Sequence, residues 1–477
     1  MQNFGLKLKQ IGKKNGGRVS YLVVALFLWV ALAATWPETA WGKEKEKDPD
    51  AIILISDPEI SDLLDQMAAP LIQAARFPPE SIRFHVILNT SLNAFALENG
   101  HIVFHSGLLL AAHGRDELAG VMAHEIAHLS AGHHIQLRDE AKNLSIRSLI
   151  ATAVGIAAGI VAHDSNITQG AIAGGAASSQ TALLTTMRQK EQQADRLAIP
   201  YLASAGFDPK GVGNFMERIN REQRLASQPP PYMLSHPISS LRMTEAKDLA
   251  TQYPPRKARP DHDESAWLLR IQAKLEAGVD ADPDASAERF RKRASLSASP
   301  EAAQAANYGL AMAQRYGGHL TESDAILTAL LAETPKNPYF LRERGLSRME
   351  MNRMEEAQKD FQNALTLLPN HFDLRYQLAV TLNERKQYDQ ANRLLRQLTS
   401  EQPQEPKPFY QLGLAEGELH HPGASHLALA RYHRLMADSR NALWHYQEAV
   451  RLFPARSQEQ TIAQTEWDQL RHPKKGR

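Results

Sequence analysis

Val121-Met122-Ala123-His124-Glu125-Ile126-Ala127-His128-Leu129 is the stretch on which the reading of this chain turns. It holds the pattern His-Glu-x-x-His inside a segment of helical character running from about Asp116 to Leu137. Residues four apart on a helix share a face, so the imidazoles of His124 and His128 can converge on one metal ion. Glu125 is displaced around the helix. From there it reaches a water on the ion rather than the ion itself, the position of a general base. Val121, Met122, Ile126 and Leu129 supply an apolar face that would bury the helix.

A catalytic zinc needs a third protein ligand and an open coordination position. The chain has no cysteine, so the ligands must be His and carboxylate. Two routes are available. His134 stands six residues after His128, but the glycine such a turn requires is Ala131, with Gly132 one residue late. The favoured route uses Glu191-Gln192-Gln193-Ala194-Asp195, where Glu and Asp again lie four apart on one helical face. Glu191 would ligate, and Asp195 would accept a hydrogen bond from a ligand imidazole and fix its tautomer.

Around this pair the pieces fall into order. Residues 58–76 read as an amphipathic helix, and Arg83–Leu88 and Ile102–His105 read as strands with Asn99-Gly100 as the turn between them. Asn93-Ala94-Phe95-Ala96, Ser106-Gly107-Leu108-Leu109, His124–His128, Glu191–Asp195, and Ser235-His236-Pro237 with Arg242 follow in sequence. Over residues 58–250 this set resembles the gluzincin peptidases related to HtpX and the CAAX prenyl proteases. The resemblance implies a zincin-like α+β domain with a small sheet, one zinc ion on His124, His128 and Glu191, and Glu125 as base. It also places His236 and Arg242 near the active site, with His236 stabilising the transition state or filling the open metal position in a resting form. A peptide substrate is expected to add alongside an edge strand near Asn93–Leu97. The remaining histidines, His85, His101, His105, His113 and His163, are expected at the surface or in hydrogen bonds.

A 34-residue period governs the C-terminal half. Gly345, Ala379 and Gly413 follow it, as do Ala357 with Ala391 and Phe361 with Leu395, and Pro369 and Pro403 close the units. Small residues where helices cross, a bulky residue one turn on and a closing proline make the tetratricopeptide pattern. A degenerate unit is expected over 302–335, with Gly317-Gly318 lengthening its turn. The unit near Pro406 is expected to be incomplete, because Ala430, Ala442, Tyr446, Ala449 and Pro454 fall out of phase.

At 477 residues the chain is too long for one core. A basic region ending at Arg18, the apolar run Tyr21–Ala34 and small residues to Gly42 read as a cleaved signal. Its removal leaves 49 basic against 52 acidic residues, which gives no electrostatic case for nucleic acid. The expected organisation is a signal over 1–42, a spacer over 43–57, a zinc metalloprotease domain over 58–250 and a linker over 251–264. A mainly α repeat solenoid over 265–456 and a tail over 457–477 complete it. The apolar run 149–162 and the Gly/Ala-rich 170–177 read as a small-residue helix, with a lid or a membrane-apposed hairpin as the alternative. An exported gluzincin joined to tetratricopeptide repeats resembles peptidases of bacterial envelope quality control. That implies a periplasmic endopeptidase whose repeats dock outer-membrane β-barrel proteins or their assembly machinery. The rival reading is a repeat chaperone or adaptor with a latent zinc site.

Overall fold

The computed structural model describes residues 53–97, 99–133, 176–223, 232–233, 236–253 and 264–472. The expected signal, most of the spacer, the apolar run 149–162, the linker residues 254–263, His134, His163 and Ser235 lie outside them.

The N-terminal part is α+β. Strand β1 (Leu54–Ile55) lies inside the expected spacer, which is thereby corrected at its end: the strand pairs antiparallel with β2. Helix α1 (Pro58–Ala74) begins where Asp57 accepts from the Ile60 amide and Pro58 fixes the first turn. Its Ile60, Leu63, Leu64, Met67 and Leu71 recur at helical spacing and are buried. Strands β2 (Arg83–Ile87), β3 (Ala94–Ala96) and β4 (His101–His105) complete a sheet of order β1-β2-β4-β3. β2 runs parallel to β4 and β3 antiparallel to it, so the Asn99-Gly100 turn joins β3 to β4 rather than β2 to β4. The two-residue period puts Phe84, Val86, Ile102 and Phe104 on one face, inside the N-terminal core.

Helices α2 (Ser106–Ala111), α3 (Arg115–Ser130), α4 (Ala176–Ala205), α5 (Gly211–Gln223) and α6 (Ser240–Thr251) follow. α3 carries the His-Glu-x-x-His motif and is buried on every side from Leu118 to His128, with Leu118, Val121, Met122 and Ile126 in the N-terminal core. α3 and α5 meet backbone to backbone: a Cβ on Gly120 would stand 2.7 Å from the Gly211 carbonyl carbon. Only glycine permits that approach.

The rest is helical pairs: α7 (Glu264–Val279) and α8 (Pro283–Leu296), α9 (Pro300–Tyr316) and α10 (Leu320–Glu333), α11 (Pro338–Glu350) and α12 (Met354–Leu367). Then come α13 (Phe372–Glu384) and α14 (Tyr388–Glu401), α15 (Pro406–Glu418) and α16 (Pro422–Leu435), α17 (Ser439–Leu452) and α18 (Gln458–Arg471). Gly318, Asn352, Lys386 and His420 each take positive φ at the centre of a three-residue turn within a pair, 34 residues apart. The Gly317-Gly318 turn is therefore no longer than the others, and the pair beginning at Pro406 is complete. Both expectations are corrected. The expected tail is corrected too: α18 packs on α17 through buried Ala463, and Glu466 accepts from Tyr446 Oη at 2.8 Å and Arg431 Nη2 at 2.7 Å. Ser457 caps this helix by accepting from the Gln460 amide, a start signal that lies just beyond Pro454.

α7 joins the catalytic core instead of opening a separate body. Its Trp267, Leu268, Ile271 and Leu275 pack in one cluster with Met67, Leu71 and Ile126. Among the described residues, no helix is long and apolar enough to cross a membrane.

Candidate metal centre

Three separated segments build the site. α3 brings His124, Glu125 and His128, α4 brings Glu191 and Asp195, and the 236–242 segment leading into α6 brings His236 and Arg242. All seven side chains are buried. His128 Nε2 lies 3.0 Å from His124 Nε2, and the Glu191 carboxylate lies 3.3 Å from each of them. His236 Nδ1 joins the group, 3.4 Å from His124 Nε2 and 3.1 Å from Glu191 Oε2.

This donor set fits a tetrahedral cation. Ligand bonds of about 2.0–2.1 Å place tetrahedral donors roughly 3.3 Å apart, and the separations above run from 3.0 to 3.4 Å. His124, His128, Glu191 and His236 each offer a donor atom within 4.8 Å of the others. Two imidazole nitrogens facing each other over 3.0 Å can share at most one proton, whereas a cation satisfies both lone pairs at once. Glu125 fits a different task. Among the described residues, both of its carboxylate oxygens are buried without a hydrogen-bond partner, and His236 Nε2 stands 3.5 Å from one of them.

Asp195 and Arg242 hold the centre from behind. Asp195 Oδ1 sits 3.0 Å from His124 Nδ1, leaving His124 Nε2 to face the cluster. Arg242 donates to Asp195 through Nε at 2.7 Å and Nη2 at 2.9 Å, and to the Pro237 carbonyl at 2.7 Å. Its Nη1 also lies 3.1 Å from Glu191 Oε2, so one guanidinium fixes both carboxylates.

The electrostatics ask for positive charge. Burial disfavours a charged His124 ring, yet hydrogen bonds to Asp195 and Glu191 outweigh it and push its pKa up to about 10. Burial pulls His128 down, against the pull of Glu191. Burial also opposes charge on His236, but Glu191 and Glu125 overcome it and raise the ring. Glu191 is held well below the usual carboxylate range: burial works the other way, and His236, His124 and His128 prevail. A divalent cation would take over from the proton on His124. The carboxylates of Glu125, Glu191 and Asp195 would then be matched by the cation and Arg242.

β3 runs past the site at the sheet edge. Leu97 donates to His101 O and His105 donates to Asn93 O, so antiparallel alternation turns the Ala94 and Ala96 peptide groups to the unpaired side. His236 Nε2 reaches Ala94 O at 3.3 Å, and Tyr232 N donates to Leu92 O at 2.8 Å. Tyr232 stacks on His236 with ring centroids 4.7 Å apart. Nothing in its neighbourhood of prolines singled it out in the sequence. His133 stands with its ring 5.5 Å from that of His128 and outside the donor group. His85 pairs with His101 at 2.8 Å and His105 with Ser91 Oγ at 2.8 Å, the hydrogen-bonded roles expected of them.

Residues 57–250 match the model of peptidase family M48, and residues 348–412 match a tetratricopeptide-repeat model. Residues 57–250 are thus similar to a peptidase family M48 domain. A Vibrio cholerae relative is 34% identical over 289 residues, 60% of this chain and 58% of its own length. The beta-barrel assembly-enhancing protease of Yersinia pestis is 27% identical over 74% of this chain and 71% of the relative. The Escherichia coli K12 protein of that name is 28% identical over 66% of this chain and 64% of its own. The match to the first of these thus spans under two thirds of the relative.

Proposed function

We propose that the chain is a zinc-dependent endopeptidase of the bacterial periplasm that acts on misassembled outer-membrane β-barrel proteins. The observation that carries the proteolytic part is the convergence of His124, His128 and Glu191 beside the buried Glu125 carboxylate. When bound there, zinc would polarise the scissile carbonyl and acidify the attacking water. Glu125 takes the proton from that water and passes it to the leaving amine. Asp195 and Arg242 keep the ligands oriented while charge moves. The outward Ala94 and Ala96 peptide groups pair with an extended substrate, giving affinity with little sequence preference. The location and clients rest on the signal-like N-terminus and on the names of the relatives. The repeats dock clients or assembly machinery.

A second reading has a specific observation behind it. His236 Nδ1 lies within the donor group, so four protein donors close the centre and leave no place for substrate. In that latent form the repeats would act as a chaperone or adaptor until His236 withdraws.

One experiment separates these. Metal content and cleavage of casein or an unfolded barrel protein are measured for the mature chain and its Glu125→Gln variant. About one zinc per chain in both, with cleavage only in the wild type, supports the enzyme. Full cleavage by a zinc-loaded Glu125→Gln variant would refute the role of the base. If both bind zinc and neither cleaves, His236→Ala is expected to release activity. An inactive, zinc-loaded His236→Ala protein would remove the latency reading.

A further inference from the structure

A cavity of about 480 Å³ opens where the catalytic core meets the repeats. Its walls include Trp267 and Arg270 of α7, Gln304 of α9, Lys336 and Asn337 of the turn before α11, and Tyr339 of α11. Among the described residues, no lining side chain is a carboxylate, while Arg270 and Lys336 are cations. The apolar share of the wall is supplied by Trp267, Tyr339 and two prolines, Pro335 and Pro338.

The polar groups of the wall are unequally engaged. Asn337 Oδ1 caps α11 by accepting from the Tyr339 and Phe340 amides, and the Tyr339 hydroxyl donates to Asp62 at 2.7 Å. Arg270 is buried over the Phe340 ring, with Glu59 behind it at 3.9 Å. Trp267 is 9% exposed and lies tilted against the Tyr339 ring with centroids 5.2 Å apart, and its indole Nε1 is buried without an acceptor among the described residues. A buried N–H without an acceptor is destabilising. Lys336 stands exposed at the rim. The wall thus combines two cations with flat apolar surfaces.

We propose that this cavity binds an acidic peptide segment, an Asp or Glu side chain flanked by an aromatic or aliphatic residue. The carboxylate faces Lys336 and Arg270. The flanking side chain lies against Trp267, Tyr339 and the prolines. A cavity of this volume holds a few residues, within the usual range of about 300–1,000 Å³ for ligand sites. The site is separate from the metal centre and does not depend on the chain being a protease.

The test follows the indole ¹⁵N–¹H resonances of the full-length mature chain, with the Trp267 signal assigned by its loss in Trp267→Phe. A chelator is present, so cleavage plays no part. Three probes are titrated: the end-blocked peptide acetyl-Gly-Leu-Glu-Phe-Gly-amide, its Gln counterpart, and inorganic phosphate. The expected result is a saturable shift of the Trp267 signal with the Glu peptide only. Lys336→Glu, an exposed change that leaves the fold intact, is expected to weaken it about tenfold, through lost attraction and added repulsion. Equal binding of the Gln peptide, an equal shift with phosphate, no shift with any probe, or unchanged affinity in Lys336→Glu would each overturn the proposal.

Discussion

Replacing Asp195 by Asn keeps the shape of the side chain and removes only a charge and one acceptor, and the geometry dictates the consequence. Asp195 Oδ1 faces both His124 Nδ1 at 3.0 Å and Arg242 Nη2 at 2.9 Å, while Oδ2 faces Arg242 Nε at 2.7 Å. An amide cannot serve all three. With its oxygen toward His124, its NH₂ meets the Arg242 Nε–H, donor against donor. Flipped, its NH₂ meets His124 Nδ1 and selects the tautomer protonated at Nε2, which cannot ligate. Loss of such an orienting partner lowers metal affinity about 10–100-fold, or roughly 1.4–2.7 kcal/mol. Breaking a buried ion pair costs about 3–5 kcal/mol of stability. The lower end applies here, because Arg242 keeps Glu191 at 3.1 Å. The pH dependence has a definite sign. Burial would raise Asp195, but His124 and Arg242 hold it below its ordinary value. Its contribution is therefore complete above the unfolded value near ~3.9 and is lost as pH falls through the lower folded value. The deficit of Asp195→Asn should be full at pH 7 and close only in acid. Zinc titration against a competing chelator at pH 7, with thermal unfolding of the metal-free protein at pH 7 and pH 2, reads both effects. Zinc affinity within twofold of wild type would refute the tautomer argument.

Lys274→Met should destabilise the metal-free chain by about 3–5 kcal/mol, since Lys274 stands 2.7 Å from Asp57, 3.4 Å from Glu59 and 2.8 Å from Glu343. Burial opposes ionised Glu343, but Lys274, Arg342 and Arg315 hold its pKa down. The wild-type advantage is therefore complete above the carboxylate range and shrinks as pH falls below it, which thermal melts from pH 7 to pH 2 would show. A deficit that stays constant over that range would contradict the assignment. Gly345→Ala puts a Cβ 2.8 Å from the Phe361 ring. Overpacking of about 1–3 kcal/mol outweighs the gain of up to ~1 kcal/mol in helix propensity, so Tm should fall, and Phe361→Leu in the same chain should restore part of it.

The chemistry was far more legible than the assembly. Glu191 and Asp195 declare a shared helical face by spacing alone, as do His124 and His128, and the structure brings all four together. His236 and Arg242 were placed near the site by resemblance, but the work Arg242 does was not visible. A guanidinium spanning two carboxylates on another helix is a tertiary fact with no local period. The 34-residue rhythm marked the repeats, yet its small-residue positions misled at the ends. Gly317-Gly318 looked like an insertion because glycine is unusual there. The same central turn position takes positive φ with Asn352, Lys386 and His420, so the geometry is common and only the residue differs. α18 escaped notice because a single residue, Ala463, is buried along it. An outermost helix has one neighbour and needs little apolar surface.

The sharpest departure concerns where the catalytic part ends. α7 was expected to open the repeats, and it does pair with α8 and α9, but its other side lies in the catalytic core. Trp267, Leu268, Ile271 and Leu275 face the cluster containing the metal-binding helix, while Ala273 and Ala277 face the repeats. A helix apolar on more than one side has no period that assigns it to one partner. The polar contacts repeat the arrangement. Glu59 of α1 meets Lys274 of α7 and Tyr308 of α9, and Asp62 of α1 meets Tyr339 of α11 and His371 before α13. Such buried charges are tolerated only when every partner stays in place. Sliding the first repeats past α1 would strand several of them at once. The repeats nearest the core are thus fixed to the catalytic domain, and a ligand in the Trp267 cavity would sit on that seam.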